Sequence, residues 1–465
     1  MASDRSWTIT PTVVWFGAFL VAFLIWKDGN LHALANRLTQ KREDQTAKAA
    51  GPVFAKAPVE VADAEPEPVT QPKLPPPPPG SHDIGALTDT CIDPVGAEPA
   101  KCKAWAMDGY YKAAAQAKAG KLGRALRVSW YGDSVVADDQ MASRLRERLQ
   151  TDLGDGGPGY VYVVPPHKFN ENHAINRSFG GSWFPHSISL QQMPDGLYGV
   201  GGSTAETDGG RSTIKLAAGK ITNLELYYLT MPKGGTVTVN ADGAEAMKVD
   251  TSGERGAAWA QGKVDGAATI EIKTDKRVRV FGIDLENAKG AVVDNLGVVS
   301  SNVKSFANNT TDHWQAELDH RAADLILIMI GANEAEWLGP KDQDTKDYQA
   351  HYEKVLAVIR KARPDGACVV VSPTDQAEAK DDGYESRPVM PVLIAAQEKA
   401  ARSQGCAFYS TYAWMGGKGS AAKWFKHSWV SSDFQHLSKK GAEKIADALY
   451  EALDGGAKQF GAHAH

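Results

Sequence analysis

Residues 324–331, DLILIMIG, place six apolar side chains in a row between an aspartate and a glycine. The run is too short to cross a bilayer as a helix, which takes about 20 residues. It also lacks the alternation of a strand with one wet face. It reads as a strand buried on both faces, the kind found in parallel sheets covered by helices on either side. Parallel strands need crossover helices, and the rest of the chain supplies them. Met141, Leu145, Leu149 and Leu153 recur every four residues along 138–153 and are stopped by Gly154, the pattern of an amphipathic helix with a terminal glycine. Helical periodicity returns over 348–362 and 391–403, and Ser438 stands where it would cap a last helix running to Leu453. LRVSWY (126–131), ACVVVSP (367–373) and CAFYSTY (406–412) read as further strands. This alternation predicts an α/β fold, a doubly wound parallel sheet.

One interval breaks the pattern. NLELYYLTM (223–231), TVTVNAD (236–242), AATIEIKT (267–274) and RVRVFGIDL (277–285) alternate with period two between Gly, Asp and Asn turns. That spacing predicts an all-β insert, a β-sandwich or jelly roll over 211–290. The α/β domain then occupies 86–210 and 291–455, followed by a small-residue tail, 456–465, expected to be flexible.

The N-terminus is of another kind. Val13 to Trp26 carries no polar side chain, and Trp7 to Thr12 extends it with nothing more polar than threonine. About 20 such residues suffice to span a membrane, and Trp7 and Trp26 sit where aromatic rings favour the interface. The competing reading is a cleaved signal peptide, for which the only nearby Ala-x-Ala, Ala33 to Ala35, lies beyond charged Lys27 and Asp28. The expected anchor is residues 1–30, with a stem and Pro-rich linker over 31–85. Five consecutive prolines end at Pro79, and at about 3 Å per residue such a spacer could hold the body on the order of 100 Å from the anchor. Lys and Arg flank the span on both sides, so charge alone does not orient it.

A net charge of −5 without a long basic stripe argues against nucleic acid as a partner, because nothing would balance the phosphates. Of four cysteines, Cys91 and Cys102 enclose a short loop that a disulfide could close in an exported protein. Cys368 and Cys406 each begin an apolar segment, paired or not. No CxxC suggests zinc or a redox motif.

Three polar groups fall at or near the carboxyl ends of predicted strands, where open parallel sheets bind ligands. Gly132-Asp133-Ser134 follows the first strand, Gly331-Ala332-Asn333 follows DLILIMI, and Asp433 and His436 lie in SSDFQHLS before the last helix. Serine, histidine and aspartate are the nucleophile, general base and orienting carboxylate that acyl transfer needs. An asparagine amide can donate to a developing oxyanion. Each piece alone is common in turns; their order, each at a fitting place in the topology, is not.

These blocks resemble the SGNH, or GDSL-type, hydrolase superfamily, with its GDS, central glycine, GxN and DxxH. The resemblance implies Ser134 as nucleophile, His436 as base and Asp433 as its orienter, with an oxyanion hole from the Ser134 and Ser300 N–H groups and Asn333. It also implies a flavodoxin-like sheet, no metal and no dissociable cofactor. At the second block, VVDNLGVVSSNV (292–303) carries Ser300 where the family has glycine, and serine tolerates unusual φ less well. GDSVVADDQMASRLRERLQTDLGDGGPGYVY and IGANEAEW are similar to bacterial peptidoglycan O-acetylesterases, which carry a carbohydrate-binding-like β-domain in the same interval. That implies an O-acetylated cell-wall glycan as substrate and export of the body to the periplasm from an inner-membrane anchor. The rivals are an O-acetyltransferase, an esterase for another glycan, and a non-catalytic wall-binding protein with a degenerate site.

His167, His173 and His186 lie in a loop-rich stretch whose spacings fit no helix face, so they read as loop residues rather than metal ligands. Trp183 and Trp259 could stack on sugar rings, but packing is the safer expectation for both.

Overall fold

The computed structural model describes residues 82–463, apart from 95, 96, 340 and 382. The expected anchor at 1–30 and most of the linker lie outside the described residues. Among the described residues no helix is long and apolar enough to cross a membrane.

Five parallel strands carry the α/β part: β1 (Leu126–Gly132), β2 (Ala291–Gly297), β3 (Leu325–Met329), β4 (Ala367–Val371) and β5 (Ala407–Tyr409). Their spatial order is β2-β1-β3-β4-β5, with Leu87–Thr88 added antiparallel to β5 at one edge. The order reverses between β1 and β3, which makes the space beyond their carboxyl ends the crevice of a doubly wound sheet.

Alternate residues of each strand face opposite helical layers. Val128, Trp130, Leu327, Val369 and Tyr409 pack with helices α1 (Asp108–Lys118), α2 (Gln140–Leu153) and α6 (Lys439–His463). Tyr131, Ile326, Ile328, Val370 and Phe408 pack with α3 (Thr311–Arg321), α4 (Asp342–Ala362) and α5 (Met390–Ser403). Every residue of β3 and β4 is buried, which is why DLILIMIG shows no alternation. Cys91–Cys102 and Cys368–Cys406 are both disulfides; the second ties β4 to the residue preceding β5.

The antiparallel region forms two sheets that face each other through Ile214, Val239, Ile270 and Ile272 on one side and Leu224, Leu226, Ile283 and Leu285 on the other. Its strands begin earlier than residue 211. Gly159–Val161, Ile175–Gly181, Phe184–Ser187 and Ser203–Thr207 all pair into these sheets. Ile175–Gly181 was invisible to period-two reading because only Ile175 of its seven residues is buried.

The C-terminal segment also differs from expectation. Residues 456–463 continue α6 rather than forming a loose tail. Ala457 and Phe460 pack against the core, with the Phe460 ring 6.1 Å from that of Tyr111, so tertiary contact overrides the weak helix propensity of Gly455 and Gly456.

A buried ion cluster lies where the antiparallel region meets the parallel sheet. Arg321 on α3 binds Asp284 at 2.9 Å, Glu286 at 2.7 Å and Asp294 on β2 at 2.7 Å. Arg127 on β1 adds a 2.8 Å contact to Glu286. Five charged side chains with little solvent are tolerable only because each is paired and hydrogen-bonded.

Candidate active site

β1 ends at Gly132, and the chain turns at once into a one-turn helix, Ser134–Ala137. The turn is tight enough that a Cβ on Gly132 would collide with the Val136 side chain, so glycine is required there. Asp133 caps the helix by accepting from the Val135 N–H at 2.9 Å. Its buried carboxyl is pushed up to about 6, chiefly by desolvation. This local order presents Ser134, half-buried, at the carboxyl edge of the sheet.

Ser134 Oγ lies 2.9 Å from His436 Nε2, and His436 Nδ1 lies 2.7 Å from Asp433 Oδ2. A carboxylate only accepts, so Nδ1 carries the proton and Nε2 is left to accept from the serine hydroxyl. Asp433 Oδ1 also accepts from the N–H groups of Gln435 and His436, each at 2.9 Å, and from Ser431 Oγ at 2.8 Å. Burial alone would raise the Asp433 carboxyl. The hydrogen bond from His436 and these further donors instead hold it well below the usual carboxylate range. Asp433 in turn holds the His436 imidazolium above its ordinary 6.5, against the opposing effect of burial.

The third block meets the first from β3. Gly331 adopts φ 138°, and a Cβ there would come within 2.7 Å of Gln397 Nε2. Asn333 follows, at the start of the short helix Glu334–Trp337. Its Nδ2 donates to the Ser301 carbonyl at 2.7 Å, and its Oδ1 accepts from Gln435 Nε2 at 3.2 Å. One Nδ2 hydrogen remains. Gln435 is buried between the triad and this amide. The sequence reading missed it, since nothing in SSDFQHLS marks that glutamine as facing another loop.

Ser300 occupies the turn Val298–Ser301, closed by a bond from the Ser301 N–H to the Val298 carbonyl at 3.1 Å. Its φ is 62°, the left-handed region where turns at this position favour glycine. The turn is clamped to the end of β1, since the Val298 N–H and the Ser301 hydroxyl both donate to the Gly132 carbonyl, at 2.9 and 3.1 Å. The N–H groups of Ser134 and Ser300 make no hydrogen bond among the described residues. An activated serine, a base with its orienter and unspent donors are the parts of an acyl-transfer site.

The family model of the GDSL-like lipase/acylhydrolase family matches residues 274–444, which hold Ser300, Asn333, Asp433 and His436. Over that interval the chain is similar to the GDSL-like lipase/acylhydrolase family. Ser134 lies before the matched interval, and the structure brings it to His436 all the same. No curated protein matches the chain. Among solved structures, a peptidoglycan O-acetylesterase is similar over 81% of this chain and 100% of its own, with 24% identity and a TM-score of 0.67. A salicylyl-acyltransferase from a tetracycline biosynthetic pathway covers 61% of this chain and 95% of its own at 13% identity and a TM-score of 0.29. A family two carbohydrate esterase from Clostridium thermocellum covers 59% and 98% at 8% identity and 0.28.

His173 and His186 of the loop stretch have partners of their own. His173 contacts Ser143 and Glu171, and His186 contacts the Gln191 carbonyl. Among the described residues no three His, Cys, Asp or Glu side chains are grouped to hold a metal ion. Trp183 is buried and donates to the Arg211 carbonyl, while Trp259 stacks on His320 with centroids 4.0 Å apart.

Proposed function

We propose that the chain is a serine esterase that removes O-acetyl groups from peptidoglycan or a related cell-envelope polysaccharide. The observation that carries this reading is the continuous relay from Ser134 through His436 to Asp433, with contacts of 2.9 and 2.7 Å. Ser134 Oγ attacks the ester carbonyl while His436 Nε2 takes its proton, and Asp433 stabilises the imidazolium. The oxyanion that forms is met by the Ser134 and Ser300 N–H groups and the remaining Asn333 Nδ2 hydrogen. His436 returns the proton to the departing sugar oxygen, leaving acetyl-Ser134. Water, deprotonated by the same imidazole, then releases acetate and restores the serine.

The choice of an acetylated glycan follows the similarity to the peptidoglycan O-acetylesterase structure. The antiparallel region would act as a carbohydrate-binding-like module that seats the polymer beside the site. Residues 7–26 would anchor the protein in the inner membrane with its body in the periplasm, and the two disulfides support an oxidising compartment. His436 remains 41% exposed along its side chain, so a glycan hydroxyl could replace water as acceptor, which would make the protein an O-acetyltransferase.

The test is acetate release from O-acetylated peptidoglycan and from a simple aryl acetate, by wild type and Ser134→Ala. Release from the glycan that vanishes in the variant is expected; equal release by both proteins overturns the assignment.

A further inference from the structure

Three of the most exposed large apolar side chains stand on separate segments that meet at the catalytic end of the sheet. Trp337, 52% exposed, closes the helix Glu334–Trp337 and lies four residues beyond Asn333, the spacing that puts two residues on one helical face. Phe169, 58% exposed, sits in the turn 167–170. That turn is fastened to the site by Asn170 Nδ2 donating to the Gly297 carbonyl at 2.7 Å and by the Glu171 N–H donating to the Ala137 carbonyl at 2.9 Å. Tyr384, 44% exposed, places its ring 4.6 Å from that of Phe434, the residue after Asp433.

Two of the rings carry a lysine. Lys304 Nζ lies 5.6 Å from the Trp337 centroid, and Lys168 Nζ lies 5.0 Å from that of Phe169. Neither lysine pairs with a carboxylate among the described residues. Glu171, in the same loop as Lys168, is engaged by His173, and Glu334, the acid facing Lys304, is buried and accepts from the Val303 N–H at 2.7 Å. In a chain of net charge −5, these are two lysines without an ion-pair partner among the described residues, each held over an aromatic ring.

We propose that Trp337, Phe169 and Tyr384, with Lys304 and Lys168, form a binding rim for a carboxylate-bearing glycan strand laid across Ser134. The proposal rests on the esterase reading and narrows it, because the preferred substrate is an acidic acetylated polysaccharide and not a neutral one. The C–H faces of pyranose rings lie against the negative faces of the aromatic rings. The ammonium groups meet carboxylates along the strand, at positions where the aromatic ring below keeps part of the water away. Neither interaction requires the acetyl group itself, so the rim selects the polymer while the triad selects the ester.

The experiment has a turnover arm and a binding arm, both on the full-length protein. In the first, wild type, Trp337→Ala and the double variant Lys168→Ala/Lys304→Ala are compared on O-acetylated peptidoglycan, O-acetylated xylan and an aryl acetate. Wild type should favour peptidoglycan over xylan, and each variant should lower the peptidoglycan-to-aryl-acetate efficiency ratio at least tenfold. The lysine variant should also lose most of the salt sensitivity of that ratio. An unchanged ratio, or equal efficiency on the neutral and acidic polymers, overturns the rim. In the second arm, Ser134→Ala is sedimented with insoluble peptidoglycan or xylan, with and without the rim substitutions. Peptidoglycan-selective binding that Trp337→Ala and the lysine variant abolish upholds the rim even where wild type releases no acetate, an outcome that would defeat only the esterase reading. Binding that ignores both the polymer and the substitutions defeats the rim.

Discussion

Gln435 Nε2 donates to Asn333 Oδ1 at 3.2 Å, while Asn333 Nδ2 donates to the Ser301 carbonyl at 2.7 Å. The two bonds fix which end of the Asn333 amide faces which way. A flipped amide would offer oxygen, not N–H, to a developing oxyanion. Gln435 thus ties the loop that holds His436 to the loop that holds Asn333, the proposed base and oxyanion donor.

Gln435→Glu should therefore cost more than its size suggests. A carboxylate accepts only, so it would draw the Asn333 NH2 toward itself and turn the oxygen to the substrate. We expect kcat to fall roughly 10- to 100-fold, about the loss of one oxyanion donor or somewhat less, with KM little changed. Gln435→Met, which neither donates nor accepts strongly, should fall in between. Steady-state kinetics on an aryl acetate decides; a kcat in Gln435→Glu equal to wild type removes the glutamine from any role in orienting Asn333.

The pH profile follows from the His436–Asp433 pair. Only neutral His436 can take the Ser134 proton, and Asp433 holds the imidazolium above its ordinary 6.5. The acid limb of kcat/KM should therefore have its midpoint above 6.5, and Asp433→Asn should move that midpoint down while cutting kcat on the order of 10⁴-fold, as for other triads. For stability the signs run differently. The raised His436 value contributes fully below 6.5 and is lost as pH rises through the folded value. The lowered Asp433 value contributes above 3.8 and is lost as pH falls through its folded value. Both contributions coexist between those two limits, below the pH where turnover is fastest. Rate and melting profiles on one buffer series test both halves, and an acid limb centred below 6.5 contradicts the pairing.

Ser300→Gly should stabilise the protein without loss of rate. A non-glycine residue at φ 62° pays about 1 to 2 kcal/mol for left-handed backbone, of which glycine's extra unfolded-state freedom returns about half. A net gain of a few tenths to ~1 kcal/mol is expected, read from denaturant midpoints. A loss of stability would mean that the serine side chain contributes there in a way its exposed position does not suggest.

Much of the active end was legible because its blocks are local. GDS, GxN and DxxH each occupy four residues or fewer, and the first two follow from what a strand end must do to present a side chain. Even the irregularity at Ser300 was visible, since the structure puts a left-handed φ at the position where the pattern asks for glycine. What escaped was relational. Gln435 matters through Asn333, 102 positions away, and no periodicity links them. Ile175–Gly181 is a strand by virtue of pairing with Gly210–Leu216, while its own side chains mostly face solvent. The last turns of α6 are helical because Phe460 finds Tyr111, where composition alone suggested a frayed end.

The buried Arg321 cluster bears on how this architecture could have arisen and how it can be taken apart. Arg321 belongs to the sheet-covering helix α3, yet two of its three carboxylate partners, Asp284 and Glu286, come from the antiparallel region. Cutting that region out would leave a guanidinium stranded with one partner, a loss on the order of 3 to 5 kcal/mol when such a pair is broken, comparable to the whole margin of many folded domains. The insert is therefore no cartridge to be swapped between hydrolases. A transplant of it into another scaffold has to carry Arg321 and Arg127 along, or replace all five charges with a matched apolar plug.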